Sequence, residues 1–150
     1  MNQEKYTERA RGCVQSAQSL ALRSNHQQLT PLHILKVLLD DKEGLAAGLI
    51  VAAGGDAVRA LTATEVALNK LSRVEGVGAG QIYLAPDTAL SFDQAEQVAE
   101  KAGDSFVPVQ RLLQALALAD NDAGKALKAA GIDAKALEAA IQEVTGGRTA

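Results

Sequence analysis

The chain has 150 residues, a formal net charge of −3, 47% apolar residues, two Phe, two Tyr and no Trp. A chain of this size buries roughly 70% of its unfolded surface, so it needs no disulfide or metal staple. With scattered basic residues and one cysteine, Cys13, it excludes a phosphate-backbone binder and an internal disulfide, and it fits a soluble protein of a reducing, cytoplasmic compartment.

Charged residues Glu4, Lys5, Glu8, Arg9 and Arg11 open the chain, which is not the pattern of a secretory signal. Ala10, Val14, Ala17 and Ala21 recur at three- and four-residue spacing and predict a first helix. Thr30-Pro31 is an N-cap and N1 pair that starts a second helix through Ile34, Leu35, Leu38 and Leu39. Gly44 breaks it, and Leu45–Ala53 predicts a short buried helix closed by Gly54-Gly55. The weakly polar run from Gly44 to Gly55 is about half of the roughly 20 residues a membrane span needs. Asp56 caps a fourth helix carrying Val58, Leu61, Val66, Leu68 and Leu71.

Residues 72–86, SRVEGVGAGQIYLAP, have no helical period and read as a linker. Pro86 then opens a helix bearing Phe92, Ala95, Val98 and Ala99. Further helices are predicted over 107–119, 123–130 and 134–144, the last capped by Asp133. No run shows sustained strand alternation.

The two halves repeat. A shift of 78 residues lays Ala17 on Ala95, Ala21 on Ala99, Leu35 on Leu113, Leu38 on Leu116, Leu49 on Leu127 and Ala52 on Ala130. These six identities are all apolar, and a one-residue slip is needed near the two AAG ends. Two copies of a four-helix unit therefore share one core.

Chemistry is sparse. GVGAG at 76–80 lacks the spacing and the preceding strand of a dinucleotide loop, and AAGGDAVRA lacks the Lys-Ser/Thr of a P-loop. His26 and His33 are seven residues apart, but Pro31 between them argues against one continuous face, and no third ligand joins them, so no metal site is expected. His33 reads as a packed or capping residue. Cys13 has no orienting base. Asp40, Asp41, Asp120 and Asp122 read as solvated helix-end acids. No catalytic residue and no cofactor of the chain's own is expected.

Four stretches carry a family resemblance: EKYTERARG, AQSLALRSNHQQLTPLHILKVLLDD, LNKLSRVEGVGAGQIYLAP and FDQAEQVAEKAGDSFVPVQRLLQALALAD. Together they resemble the N-terminal domain of the Clp ATPases, in its ClpB-type disaggregase branch. The resemblance implies an all-α, pseudo-twofold domain of two four-helix repeats spanning about 1–71 and 86–145. A Gly-rich connector at 72–85 joins them, and 146–150 begins a tether to ATPase modules.

It implies a monomeric module of a parent homohexamer. That parent uses ATP and magnesium and works with the DnaK chaperone system on unfolded or aggregated polypeptides. No nucleic acid and no membrane is implied as partner. Thr7 and Asp104 match polar positions that such domains keep at a client groove; Gln110 stands where the family often has an acid. Tyr6, Leu90, Phe106 and Val107 are candidates for an apolar floor. Phe106 and Val107 also read as core, Thr7 as a surface helix residue, and Asp104 as a cap. Leu90 lies off the Phe92–Ala95–Ala99 stripe and is expected to be exposed. A second branch reads phosphorylated arginine through acids at the positions of Leu32 and Gln110, both uncharged here, which disfavours that activity. The alternative role is a free-standing or protease-associated adaptor or docking module.

Overall fold

The computed structural model describes residues 2–41, 44–74, 82–146 and 150. Eight α-helices stand in order among them: α1 (Glu8–Arg23), α2 (Pro31–Asp40), α3 (Leu45–Ala52), α4 (Ala57–Asn69), α5 (Pro86–Lys101), α6 (Val109–Leu118), α7 (Asp122–Ala129) and α8 (Ala134–Thr145). The Gly-rich centre of the connector, GVGAG included, lies outside the described residues.

The caps read from sequence form. The Asp56 carboxylate accepts from Arg59 N–H at 3.1 Å and Asp133 from Lys135 N–H at 3.1 Å. Thr7 starts α1, its hydroxyl accepting from Ala10 N–H at 3.2 Å. On α1 the buried residues are Ala10, Val14, Ala17 and Ala21, as the spacing requires. Fully buried alanines let α1 lie close against α2, as Ala95 and Ala99 let α5 lie against α6. The Leu-rich helices α2 and α6 pack on each other at the centre.

Helix α4 departs from the expectation. Val58 and Val66 are exposed, and the buried stripe is Ala60, Thr64 and Leu68. Counting valines misplaced the face, because the small Ala60 and Thr64 are what fit against α2. Thr64 satisfies its hydroxyl by donating to Ala60 O at 2.7 Å, one turn back.

The repeats interlock. Within each, the second helix packs on the other three; across the pseudo-twofold, α4 packs on α7 as α8 packs on α3. The first two helices of the repeats correspond at a shift of 78, but α3 to α7 and α4 to α8 correspond at 77. The Gly55 N–H to Ile50 O bond and the Ile132 N–H to Leu127 O bond fix that register. The slip therefore lies in the loop after α2, not at the AAG ends, and Ile50, rather than Leu49, is the structural mate of Leu127.

Two minute strands were not legible in the sequence. β1 (Gln28–Leu29) pairs in parallel with β2 (Tyr83–Leu84), Leu29 opposite Leu84. A single parallel bridge joins Tyr6 to Val107. These are the same contact made twice, since a shift of 78 carries Tyr6 to Leu84 and Leu29 to Val107. The segment ahead of each repeat's first helix thus pairs with the segment ahead of the other repeat's second helix. Two-residue strands have no period to read.

Candidate functional site

The segment Asp104–Val107 leaves α5 and enters α6 along the N-terminal edge of α1. Val107 N–H donates to Lys5 O at 2.7 Å, and Thr7 N–H donates to Val107 O at 3.0 Å. Lys5, Glu96, Glu100, Asp104, Ser105 and Phe106 line a shallow open cleft of about 290 Å³ beside it.

The expected site residues divide into three groups. Thr7, Asp104, Phe106 and Val107 meet at this edge. Phe106 is 50% exposed and presents its ring to solvent, so the reading of Phe106 as core is corrected. Val107 and Tyr6, by contrast, are 3% and 2% exposed and support the edge from beneath; they offer no apolar floor of their own. Tyr6 sits edge-on to Phe92, with ring centroids 6.0 Å apart, and its hydroxyl donates to Glu96 Oε2 at 2.9 Å. Burial and the Glu96 carboxylate push that phenol far above its usual range. Leu90 is 67% exposed, as its place off the stripe predicts. It stands ten residues before Glu100 on α5, about 15 Å along the axis, so it does not line the cleft. Gln110 lies half-buried in the first turn of α6.

Asp104 is neither a simple cap nor a free surface acid. Its Oδ2 accepts from Arg111 Nε at 3.3 Å, and both side chains are more than 90% buried. Arg111 also donates to Gln114 Oε1 at 2.7 Å and to Glu138 Oε2 at 2.8 Å. A guanidinium pulled out of water inside a Leu-rich helix is tolerable only with its donors satisfied in this way. The network joins the loop after α5 to α6 and α8 and fixes the Asp104 carboxylate at the cleft.

His26 and His33 occupy the corresponding positions of the first repeat and also meet, contrary to the expectation from Pro31. His26 Nδ1 and His33 Nε2 are 2.8 Å apart. Helix α1 ends at Arg23 and the chain turns at Asn25, which has a positive φ, so His26 in the loop and His33 in α2 converge from different elements. Thr30 N–H donates to His33 Nδ1 at 3.0 Å, so the proton of neutral His33 sits on Nε2 and is donated to His26 Nδ1. Burial, with His26 beside it discouraging a charge, lowers the His33 pKa to about 4. Burial and Arg73 lower that of His26. The capping reading of His33 is what the geometry shows.

From the sequence, His26 and His33 are weighed together only as metal ligands, and Asp104 is not paired with Arg111. The available signal was the 78-residue shift itself, which carries His26 to Asp104 and His33 to Arg111.

Other candidates give no chemistry. Burial pushes the Cys13 thiol up, the reverse of what a nucleophile needs. Asp40 pairs with Lys36 at 2.8 Å, and Asp41 with Arg9 at 3.1 Å. Among the described residues no three His, Cys, Asp or Glu side chains converge to hold a metal ion. No single helix among them is long and apolar enough to cross a membrane.

Comparison with known proteins agrees with this architecture. The family described as the Clp repeat (R) N-terminal domain matches residues 5–130. The chaperone protein ClpB of Rhodopseudomonas palustris is 62% identical over 151 residues, covering 100% of this chain and 17% of the relative. That of Mesorhizobium japonicum is 54% identical with the same coverage, and that of Rickettsia felis is 36% identical, covering 18% of the relative. The chain thus spans about a sixth of the length of these relatives. The Hsp104 N-terminal domain from Candida albicans superposes with a TM-score of 0.83 at 20% identity, covering 97% of this chain and 94% of that one. The N-terminal domain of the ClpV1 ATPase from E. coli gives 0.76 at 21%, covering 97% and 88%. At such identity these two show the fold alone. The chain belongs to the Clp repeat N-terminal domain family and corresponds to the N-terminal region of bacterial ClpB chaperones.

Proposed function

We propose that the chain is the client-engaging module of a ClpB-type disaggregase and weakly binds exposed apolar segments of unfolded or aggregated polypeptides at the Asp104–Val107 edge. The observation that carries this reading is Phe106: half its surface faces solvent beside an open cleft, although Val107, the next residue, is buried.

Broad recognition of unrelated clients calls for apolar contact with few directional bonds. Covering roughly 200–300 Å² of apolar surface gives about 5–8 kcal/mol before ordering costs. After those costs the net Kd falls on the order of 10 μM to 1 mM. Weak binding suits a tethered module, which raises the local client concentration near a motor. In the same reading the module belongs to a cytoplasmic homohexameric parent whose ATPase modules, with ATP and magnesium, lie outside this chain, and which cooperates with the DnaK system. The chain itself performs no chemistry.

An NMR titration of the 150-residue chain with an unfolded, apolar-rich polypeptide tests it. Fast-exchange shifts centred on Thr7, Asp104 and Phe106 are expected. Shifts confined to another surface, or none at millimolar ligand, would overturn it.

A further inference from the structure

The cleft at Asp104–Phe106 has a counterpart in the first repeat. His26, Gln27, Gln28, Ser72 and Tyr83 line an open cleft of about 510 Å³. A shift of 78 carries His26, Gln27 and Gln28 to Asp104, Ser105 and Phe106, and carries Lys5 to Tyr83, so the two clefts are mates. Their chemistry is opposite. Glu96, Glu100 and Asp104 line the second. No described residue lining the first is acidic, and Gln27, Gln28 and Ser72 expose amides and a hydroxyl there. The His26 ring lines the cleft while only 7% exposed. Its Nδ1 accepts from His33 Nε2–H, so the proton of neutral His26 sits on Nε2. Nε2 has no hydrogen-bond partner among the described residues. Ser91 Oγ is the one side-chain polar atom among them that is both sealed from solvent and unpartnered, so His26 Nε2 keeps an opening, and the cleft is that opening.

We infer that the cleft at His26, Gln27 and Gln28 binds a carboxylate, that of an Asp or Glu side chain on an incoming polypeptide. That the polypeptide is a client rests on the client-engaging reading above; the carboxylate chemistry does not. His26 Nε2–H is a donor held in place by the relay from Thr30 N–H through His33. The Arg73 guanidinium is close enough to oppose a positive charge on the ring, and the same field favours an anion beside it. A carboxylate has two oxygens, one for His26 Nε2–H and one for a Gln27 or Gln28 amide. An ionised acceptor makes hydrogen bonds roughly twice as strong as a neutral carbonyl does. An unfolded chain exposes acidic side chains along its length but a single carboxyl end, so the side chain is the ligand. The carboxylates of the mate cleft repel the same group, which fixes the cleft that takes it. An unfolded segment is then held by an apolar residue at Phe106 and an acidic one at His26.

The test titrates the 150-residue chain with three decapeptides of Gly, Ser and Ala: one carrying two Glu and blocked at both ends, its blocked Gln counterpart, and the Gln peptide with a free carboxyl end. Backbone amide and imidazole spectra read the site. Arg73→Gln and Gln28→Leu, both at exposed positions, are titrated with the Glu peptide, with thermal melts to show that they are folded. Shifts at the Gln27, Gln28 and Tyr83 amides and at His26 Nε2 are expected with the Glu peptide. The blocked Gln peptide is expected to bind roughly 3- to 10-fold more weakly, and each substitution to weaken Glu-peptide binding by a similar factor. Equal affinity for the blocked Glu and Gln peptides, or shifts confined to another surface, would overturn the inference. A free-ended Gln peptide that matches the Glu peptide would overturn the assignment to a side chain. The apolar polypeptide reads the Phe106 edge separately. Glu-peptide shifts here with no apolar binding there leave this site standing and sink the Phe106 reading, and the reverse result sinks this inference alone.

Discussion

His26 and His33 share a hydrogen bond of 2.8 Å at the positions where, one repeat later, Asp104 and Arg111 form a buried ion pair at 3.3 Å. The fold needs a polar link here, because the loop closing the first helix of each repeat must be anchored to the second helix. It is satisfied once with a neutral pair and once with a charged one. The two solutions respond differently to pH and to substitution.

The histidine pair makes stability depend on pH in a definite direction. Above about pH 6.5 both rings are neutral in the folded and unfolded chain. Between there and about 4 the unfolded chain binds protons that folded His33 refuses, so stability falls as pH falls. Below about 4 the loss levels off. Denaturant melts from pH 7.5 to 3.5 are expected to show a His33 contribution on the order of 3 kcal/mol. A His33→Gln chain with the same slope as the unmodified chain would refute this origin.

The ion pair predicts strong coupling. Arg111→Met leaves the Asp104 carboxylate buried without its partner and is expected to cost roughly 3–5 kcal/mol. Adding Asp104→Asn should recover part of that loss. A double-mutant cycle by chemical denaturation checks it, and additive effects would show that the pair is not coupled.

Two glycines hold close approaches. A Cβ at Gly55 would overlap Ile132 Cδ1 at the junction where Asp56 N–H donates to Ala130 O across the repeats. A Cβ at Gly124 would overlap the Ala119 carbonyl, which is backbone and cannot rotate away. Gly124→Ala should therefore cost more than Gly55→Ala, with both in the range of about 1–3 kcal/mol. Adding Ile132→Val, which deletes Cδ1, should rescue Gly55→Ala and leave Gly124→Ala unrescued. Thermal melts of the four chains decide it.

Phe106→Ser and Val107→Ser separate surface from support. Phe106 is half exposed, so its substitution should change stability by about 0.5 kcal/mol or less, while weakening peptide binding several-fold. Val107 is buried, and its substitution should unfold a measurable fraction of the chain. Leu90→Ser, away from the cleft, should change neither. Peptide binding by anisotropy, alongside melting temperature, reads all three.

Thr7 is committed to its cap. Thr7→Ala should cost about 1 kcal/mol, and Thr7→Ser should restore most of it, because only the hydroxyl acceptor for Ala10 N–H is needed. A peptide-binding loss in Thr7→Ala that Thr7→Ser does not restore would assign the methyl group a contact of its own.

The sequence by itself determined the eight helices, several of their starts and the existence of two copies. Those properties are local: Ala10, Val14, Ala17 and Ala21 announce their face through a 3.6-residue period, and Asp56, Asp133 and Thr30-Pro31 mark helix starts through their own backbone chemistry. Only the tertiary structure decided what meets across the repeats. The Tyr6–Val107 and Leu29–Leu84 pairings join segments far apart in the chain through one or two residues each, too short to carry a period. It also decided which apolar residues are surface. Val66 and Phe106 are as hydrophobic as their buried neighbours, and it is the shape of the opposing helices that leaves them outside. The polar pairs show the same division: His33 and Arg111 are visible as letters in Leu-rich helices, but burial makes them partners, because a desolvated donor or charge is tolerated only where another element brings it a match.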